Sequence, residues 1–229
     1  MSSNVAIVTG YSSGLGRAFT LGLLNRGWQV VGVSRAAKGP DWPAELQSAV
    51  HHISGSVAQD DTATRAFTKA SEVGQLRIVI NCAGQGVFGE VGSYTSEDIS
   101  KAFEGNLAGL ILFTDRAVSN LQETGGTIVN IMSTASKKLR VAESVYTAAK
   151  WAAKAYTRTV REAVKGKKLP IRIIEVYPCG MNTPFWSQAV RPVSDGAGFP
   201  APEPIAEAVL QGVLATADSY QQEYTFERS

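Results

Sequence analysis

Val5-Ala-Ile-Val-Thr-Gly-Tyr-Ser-Ser-Gly-Leu-Gly16 runs from a β-branched apolar stretch straight into a turn bearing Gly10, Gly14 and Gly16. The apolar stretch reads as a strand and the residues after Gly14 as a helix. Glycines here permit a tight turn, let backbone amides approach whatever lies over it, and leave a helix N-terminus that favours negative charge. Such a turn can also be no more than a turn. Its surroundings point further. Short apolar runs at Gln29 to Ser34, His51 to Ile53, Leu76 to Asn81, Thr127 to Met132 and Ile171 to Tyr177 alternate with helical patterns at Asp60 to Val73, Ser96 to about Leu121, Ser144 to Lys165 and Glu203 to Leu214. An edge strand, Glu223 to Glu227, closes the chain. Strands that are apolar throughout need helices on both faces, which predicts an α/β, doubly wound, mainly parallel sheet of about seven strands. A glycine turn after strand one of that order is the position at which dinucleotides bind.

Composition narrows the alternatives. The chain has 229 residues, 44% hydrophobic and 18% charged, which suits one soluble domain over 1–229. A net charge of +2 with one short basic run, Lys165-Gly-Lys-Lys168, offers no field for nucleic acid or an anionic membrane, and that run reads as a solvated helix end. There is no apolar run long enough to span a bilayer, and the glycine turn interrupts the first hydrophobic segment, so a cytoplasmic location is expected. Cys82 and Cys179 have no partner in metal-ligand spacing; they read as reduced thiols, and no metal is expected. His51 and His52 read as structural, and Asp60 and Asp61 as helix-start caps that also stabilise the helix dipole. The irregular stretch 184–204 is long for a compact domain and reads as a substrate loop.

Two further patterns carry chemistry. In dinucleotide sites an acidic residue at the end of strand two binds ribose hydroxyls, whereas an Arg accommodates a 2′-phosphate. Here that strand ends Gly32-Val-Ser-Arg35, so Ser34 and Arg35, with Lys38 nearby, predict NADP(H) ahead of NAD(H). Arg35 can equally be a surface residue at a strand end. Tyr146 and Lys150 stand four apart in an alanine-rich helical stretch and project from one face. A cation about 4 Å from a phenol at an effective dielectric of about 20 is worth roughly 4 kcal/mol, enough to bring a pKa of about 10 down by about three. The same spacing also describes a half-buried aromatic beside a solvated charge.

These segments, in this order, resemble the short-chain dehydrogenase/reductase family in its short single-domain branch, which has a Rossmann fold. The glycine turn matches Thr-Gly-x-x-x-Gly-x-Gly. Asn81-Cys-Ala-Gly84 matches Asn-Asn-Ala-Gly with one change, and Asn106 in Gly105-Asn-Leu-Ala-Gly109 matches a mid-helix asparagine. Ser133, Tyr146 and Lys150 fall at the family's catalytic spacing. The resemblance implies a catalytic set of Asn106, Ser133, Tyr146 and Lys150. It implies cofactor contacts from Gly10, Ser12, Ser13, Gly14, Leu15, Gly16, Ser34, Arg35, Ser56, Val57, Asn81, Ala83, Gly84, Tyr146, Lys150, Pro178, Met181 and Thr183. There are departures. Ser56-Val57 stands where the family often has Asp-Val against the adenine, and Cys179 takes a glycine position in Pro178-Cys-Gly-Met-Asn-Thr183.

The expected activity is reversible hydride transfer between a nicotinamide and a carbonyl or alcohol carbon. Tyr146 is the general acid/base, Lys150 its activator, Ser133 the oxyanion donor and Asn106 the anchor of a water. A non-catalytic NADP(H)-binding sensor or scaffold is the alternative. Gln85 to Gly92 with Phe88, Val141 to Val145, and Phe185 with Trp186 are expected to wall an apolar or aromatic substrate pocket, though they can also pack the loop onto the body. By analogy with relatives, Leu107 to Phe113 and Trp151 are expected to bury against another copy in a homodimer or homotetramer.

Overall fold

The computed structural model describes residues 2–191, 196–215 and 219–228. Its centre is a seven-stranded parallel sheet in the order β3-β2-β1-β4-β5-β6-β7. The strands are β1 (Asn4–Thr9), β2 (Gln29–Ser34), β3 (Val50–Ser54), β4 (Gln75–Asn81), β5 (Gly126–Ile131), β6 (Ile171–Tyr177) and β7 (Glu223–Thr225). The order reverses direction at β1, between β2 and β4, which opens a crevice at the carboxyl ends of those strands.

Alternation along each strand feeds two cores. Ala6 and Val8 of β1, with Ile174 and Val176 of β6, pack beneath α1 (Gly14–Leu24) and α6 (Glu203–Leu214) through Phe19, Leu23, Ile205 and Leu210. Val5 and Ile7, with Ile171 and Ile173, face α2 (Asp60–Val73), α4 (Gly109–Leu121) and α5 (Ser144–Gly166) through Phe67, Phe113 and Val164. Among the described residues no helix is long and apolar enough to cross a membrane, and no group of three or more His, Cys, Asp or Glu could hold a metal ion.

Three expectations change. The helical pattern from Ser96 to Leu121 is not continuous. It consists of α3 (Ser96–Phe103), a π-turn over Glu104–Ala108, and α4. The Asn106 amide donates to the Ala102 carbonyl at 2.9 Å and to the Gln85 carbonyl at 2.8 Å, and its oxygen accepts from the Gln85 N–H. Turning this side chain inward takes up the extra residue that defines a π-bulge. Asp60 and Asp61 do not cap α2. Gln59 is the N-cap, and the two carboxylates in the first turn pair with Arg116 and Arg65, each at 2.7 Å. The closing strand ends at Thr225 rather than Glu227. Residues 192–195 of the expected substrate loop lie outside the described residues.

A polar chain crosses the apolar interior. Asn81 donates to Thr114 Oγ1 at 3.0 Å and to Asn130 Oδ1 at 2.8 Å, and Asn130 donates to Thr157 Oγ1 at 2.9 Å. All four side chains are buried, so they tie β4, β5, α4 and α5 together only while every partner is present. Asn130→Ala removes the central partner and should cost about 2–3 kcal/mol in urea unfolding. A loss below about 0.5 kcal/mol would mean the neighbours re-pair.

Candidate active site

At the switch point the hydroxyl of Thr9, last residue of β1, accepts the N–H groups of Cys82 at 3.0 Å and Ala83 at 3.1 Å. This brings the turn after β1 against the turn after β4. A Cβ on Gly10 would lie 2.8 Å from Ala83 Cα, and Gly10 adopts φ +68°; both facts require glycine there. A Cβ on Gly16 would strike the Gly10 carbonyl, and one on Gly14 would press on Thr183 at 3.1 Å. At the N-terminus of α1 the N-cap Ser13 makes no side-chain capping bond and the first turn holds no acid. Positive dipole and donors therefore face outward.

Above this turn lies one elongated cavity of ≈ 580 Å³. Gly10, Ser12, Ser13, Gly14, Leu15, Gly16, Ser34, Arg35, Ser56, Val57, Ala83, Gly84, Asn106, Ser133, Tyr146, Lys150, Pro178, Met181 and Thr183 all line it. Asn81 does not. Its amide is committed to Thr114 and Asn130 inside the fold, so its place is structural. The Met181 carbonyl accepts Trp186 Nε1 at 2.9 Å, which fixes the strap over the cavity.

At one end Tyr146 enters from α5 and Ser133 from the segment after β5. Three bonds set the short turn at Thr134–Ser136. Trp151 Nε1 donates to the Ala135 carbonyl, Lys154 Nζ to the Ser136 carbonyl, and the Ser136 hydroxyl to the Ser133 carbonyl. Just beyond, Lys137 reaches Glu223 and Thr225 of β7, so the last strand holds the segment carrying Ser133.

Lys150 lines the same end of the cavity, one turn further along α5. Its Nζ lies 5.9 Å from the Tyr146 ring centre and donates to the Ile131 carbonyl at 3.0 Å. Burial pushes the Tyr146 phenol upward, against a hydrogen bond with Ser133 and the more distant Arg140, while Glu143 raises it further. The same burial pushes Lys150 down to about 8. For both groups burial is the largest cause of the shift.

At the far end Arg35 is exposed on the rim, Ser34 Oγ is buried in the wall without a protein partner, and Lys38 is outside the lining. Ser56 Oγ donates to Glu104 Oε1 at 2.7 Å. Glu104 and Arg140 line the cavity and are absent from the sequence reading, whereas Glu143 and Gln188, which also line it, fall within the expected wall at 141–145 and the expected loop at 184–204. Only Glu104 had an available signal, standing two residues before Asn106, but helical periodicity hid the π-turn that swings it inward.

The short chain dehydrogenase family profile matches residues 4–193. The chain belongs to that family. Carbonyl reductase family member 4 of Danio rerio is 30% identical over 216 residues, covering 91% of this chain and 90% of its own. An uncharacterized oxidoreductase of Bacillus subtilis is 26% identical over 222 residues, 92% of this chain and 62% of its own length. Among solved structures, an alcohol dehydrogenase from the archaeon Thermococcus sibiricus, complexed with 5-hydroxy-NADP, superposes with TM-score 0.84 at 23% identity over 98% of this chain and 96% of that one.

In this member of the family the Tyr146 end of the cavity is enclosed by rings. Phe88 stacks on Trp186 at 5.7 Å and meets Tyr146 edge-on at 6.0 Å; Phe185 lies 5.8 Å from Tyr146. From the expected wall at Val141 to Val145 only Glu143 lines the cavity, joined by the preceding Arg140, while Val141 is 87% exposed. The surface expected against another copy is also smaller. Leu110 and Phe113 are buried in the chain's own core, Leu107, Ile111 and Leu112 are partly exposed, and Trp151 is exposed.

The buried ammonium gives a pH test. With its folded value at about 8, below the ordinary 10.5, the unfolded chain binds more protons between these values, so this group's penalty is full below pH 8 and fades as pH rises. Lys150→Met should therefore compare better with wild type at pH 7 than at pH 10 in urea unfolding, by on the order of 3 kcal/mol. An equal difference at both pH values would show that the ammonium carries no burial cost.

Proposed function

We propose that this chain is an NADP(H)-dependent oxidoreductase that interconverts a carbonyl compound and its alcohol. The observation that carries the reading is the continuity of the cavity, with an anion-favouring glycine turn and Arg35 at one end and a buried, protonated phenol beside Ser133 at the other. The wall fits a dinucleotide. The free donors at the start of α1 suit a pyrophosphate, the unpartnered Ser34 hydroxyl beside Arg35 suits a phosphorylated ribose, and Gly84 leaves open the space between Asn106 and Lys150. Carbonyl reductase and alcohol dehydrogenase relatives support the same class of reaction.

The bound cofactor supplies the hydride. Gly10 and Ser12 to Gly16 would hold its phosphates, Ser34 and Arg35 its 2′-phosphate, and Val57, Ala83, Gly84, Pro178, Met181 and Thr183 would contact the remainder. Ser133 donates a hydrogen bond to the substrate oxygen. Tyr146 gives up its Oη proton to that oxygen; its raised pKa keeps the proton in place until the oxygen becomes basic. Lys150 sits in the same buried region, offsetting the phenolate that remains, and Asn106 fixes the neighbouring Gln85 backbone. The ring-lined end selects carbonyl compounds with an apolar or aromatic body and excludes water from the reacting atoms. Trp151 offers the apolar contact for a second copy.

With a panel of aldehydes, diketones and quinones, wild-type protein should oxidise NADPH. Tyr146→Phe should keep NADPH affinity and lose at least about two orders of magnitude in turnover. Tight NADPH binding with no turnover of any carbonyl would favour the sensor alternative. Arg35→Ala should weaken NADPH about tenfold or more and leave NADH nearly unchanged, measured as dissociation constants. Tighter binding of NADH by wild type would overturn the NADP assignment. Gel filtration should give a mass at a multiple of 24.3 kDa; a single-chain mass would remove the assembly.

A further inference from the structure

One carboxylate in the cavity wall has no part in that scheme. Glu104 opens the π-turn and lines the cavity opposite Gly55, Ser56 and Val57, beside Ser34 and Arg35 at the end remote from Tyr146. Its Oε1 accepts the Ser56 hydroxyl at 2.7 Å. The nearby ammonium of Lys101 is engaged by Glu97 at 2.6 Å, and among the described residues no Lys or Arg forms an ion pair with Glu104. Ser56 is also committed. Its oxygen accepts the Ala58 N–H at 3.3 Å and its proton goes to Glu104, so it has nothing left to donate into the cavity.

The patch of wall formed by Glu104 and Ser56 therefore presents acceptors. A carboxylate has about four lone-pair sites and Ser56 occupies one of them. The complementary ligand is a planar group that lies against the apolar Val57 side chain and offers N–H donors at its edge. A nucleobase with an exocyclic amine meets this description. A base with a keto oxygen at that position would turn a lone pair toward the carboxylate and be disfavoured.

We infer that Glu104 reads the base of the cofactor, accepting the exocyclic amine of adenine, and that Ser56 positions the carboxylate for it. This rests on the dinucleotide reading above. It makes the π-turn serve both halves of one site, Glu104 toward the base and Asn106 toward Gln85 and Gly84.

The test is a pair of binding constants, read by fluorescence without any carbonyl substrate. The probes are NADPH and its deaminated analogue, in which hypoxanthine replaces adenine. Wild type should prefer NADPH by about tenfold, the scale of one hydrogen bond to a charged group. Glu104→Gln, whose amide can also donate, should bring the ratio of the two constants to about one, and Glu104→Asp should restore part of the preference. Circular dichroism and thermal unfolding of each variant check that the fold is intact. If Glu104→Gln binds NADPH and keeps the wild-type ratio, Glu104 does not read the base while the dinucleotide reading stands. If wild type binds neither probe, the dinucleotide reading itself fails and this inference with it.

Discussion

The double hydrogen bond at Thr9 Oγ1 is the contact on which the site depends. β1 and β4 pair along their length and would part freely at the switch point, because the chain leaves each of them in a different direction. One hydroxyl accepting the N–H groups of Cys82 and Ala83 keeps the two exits together where ladder bonds end. That closeness is why Gly10 has no room for a side chain, and why the glycine turn and Gly84 open onto the same cavity. Binding and acid ends are then positioned by one sheet rather than by independent loops, and sites built on regular elements hold geometry more tightly than sites on loops.

Burial sets the protonation of the acid end. A phenol and an ammonium that are both withdrawn from water each lose hydration of the charged form, which raises one pKa and lowers the other. Burial thus keeps the proton on Tyr146, while Lys150, lowered to about 8, remains largely an ammonium at pH 7. A mutual attraction through about 4 Å, the picture suggested by sequence spacing, would instead favour the charged pair. Lys150 spends a hydrogen bond on Ile131, and Tyr146 packs among Phe88 and Phe185.

Much of this was legible in the chain because its signals are local. A β-branched run, a glycine turn and a helical face each occupy a few residues, and their alternation gives the sheet and the crevice together. Ser133, Tyr146 and Lys150 could be expected in one cavity wall because they sit at ends of elements that periodicity locates. What escaped depends on non-local contacts. The π-turn leaves no mark on apolar periodicity, since its cause is Asn106 bonding to Gln85 across a gap of sequence. Asn81 looks identical as text whether its amide faces a ligand or Thr114 and Asn130. Asp60 and Asp61 read as caps from position alone, whereas Arg116 arrives from another helix to claim the first.

The same reasoning explains how the chain can depart from the family pattern at Ser56 without losing an acid there. A carboxylate on the loop after β3 and a carboxylate on the π-turn can reach the same part of the cavity from opposite walls, and the Ser56 hydroxyl bridges the two positions. An acid supplied from a π-bulge is held by the same turn that orients Asn106. Its position is therefore coupled to the β4 exit through Gln85, and through Ala83 to Thr9. A substitution that straightened the bulge would displace groups at both ends of the cavity at once, which a simple exchange of side chains at Ser56 would not do.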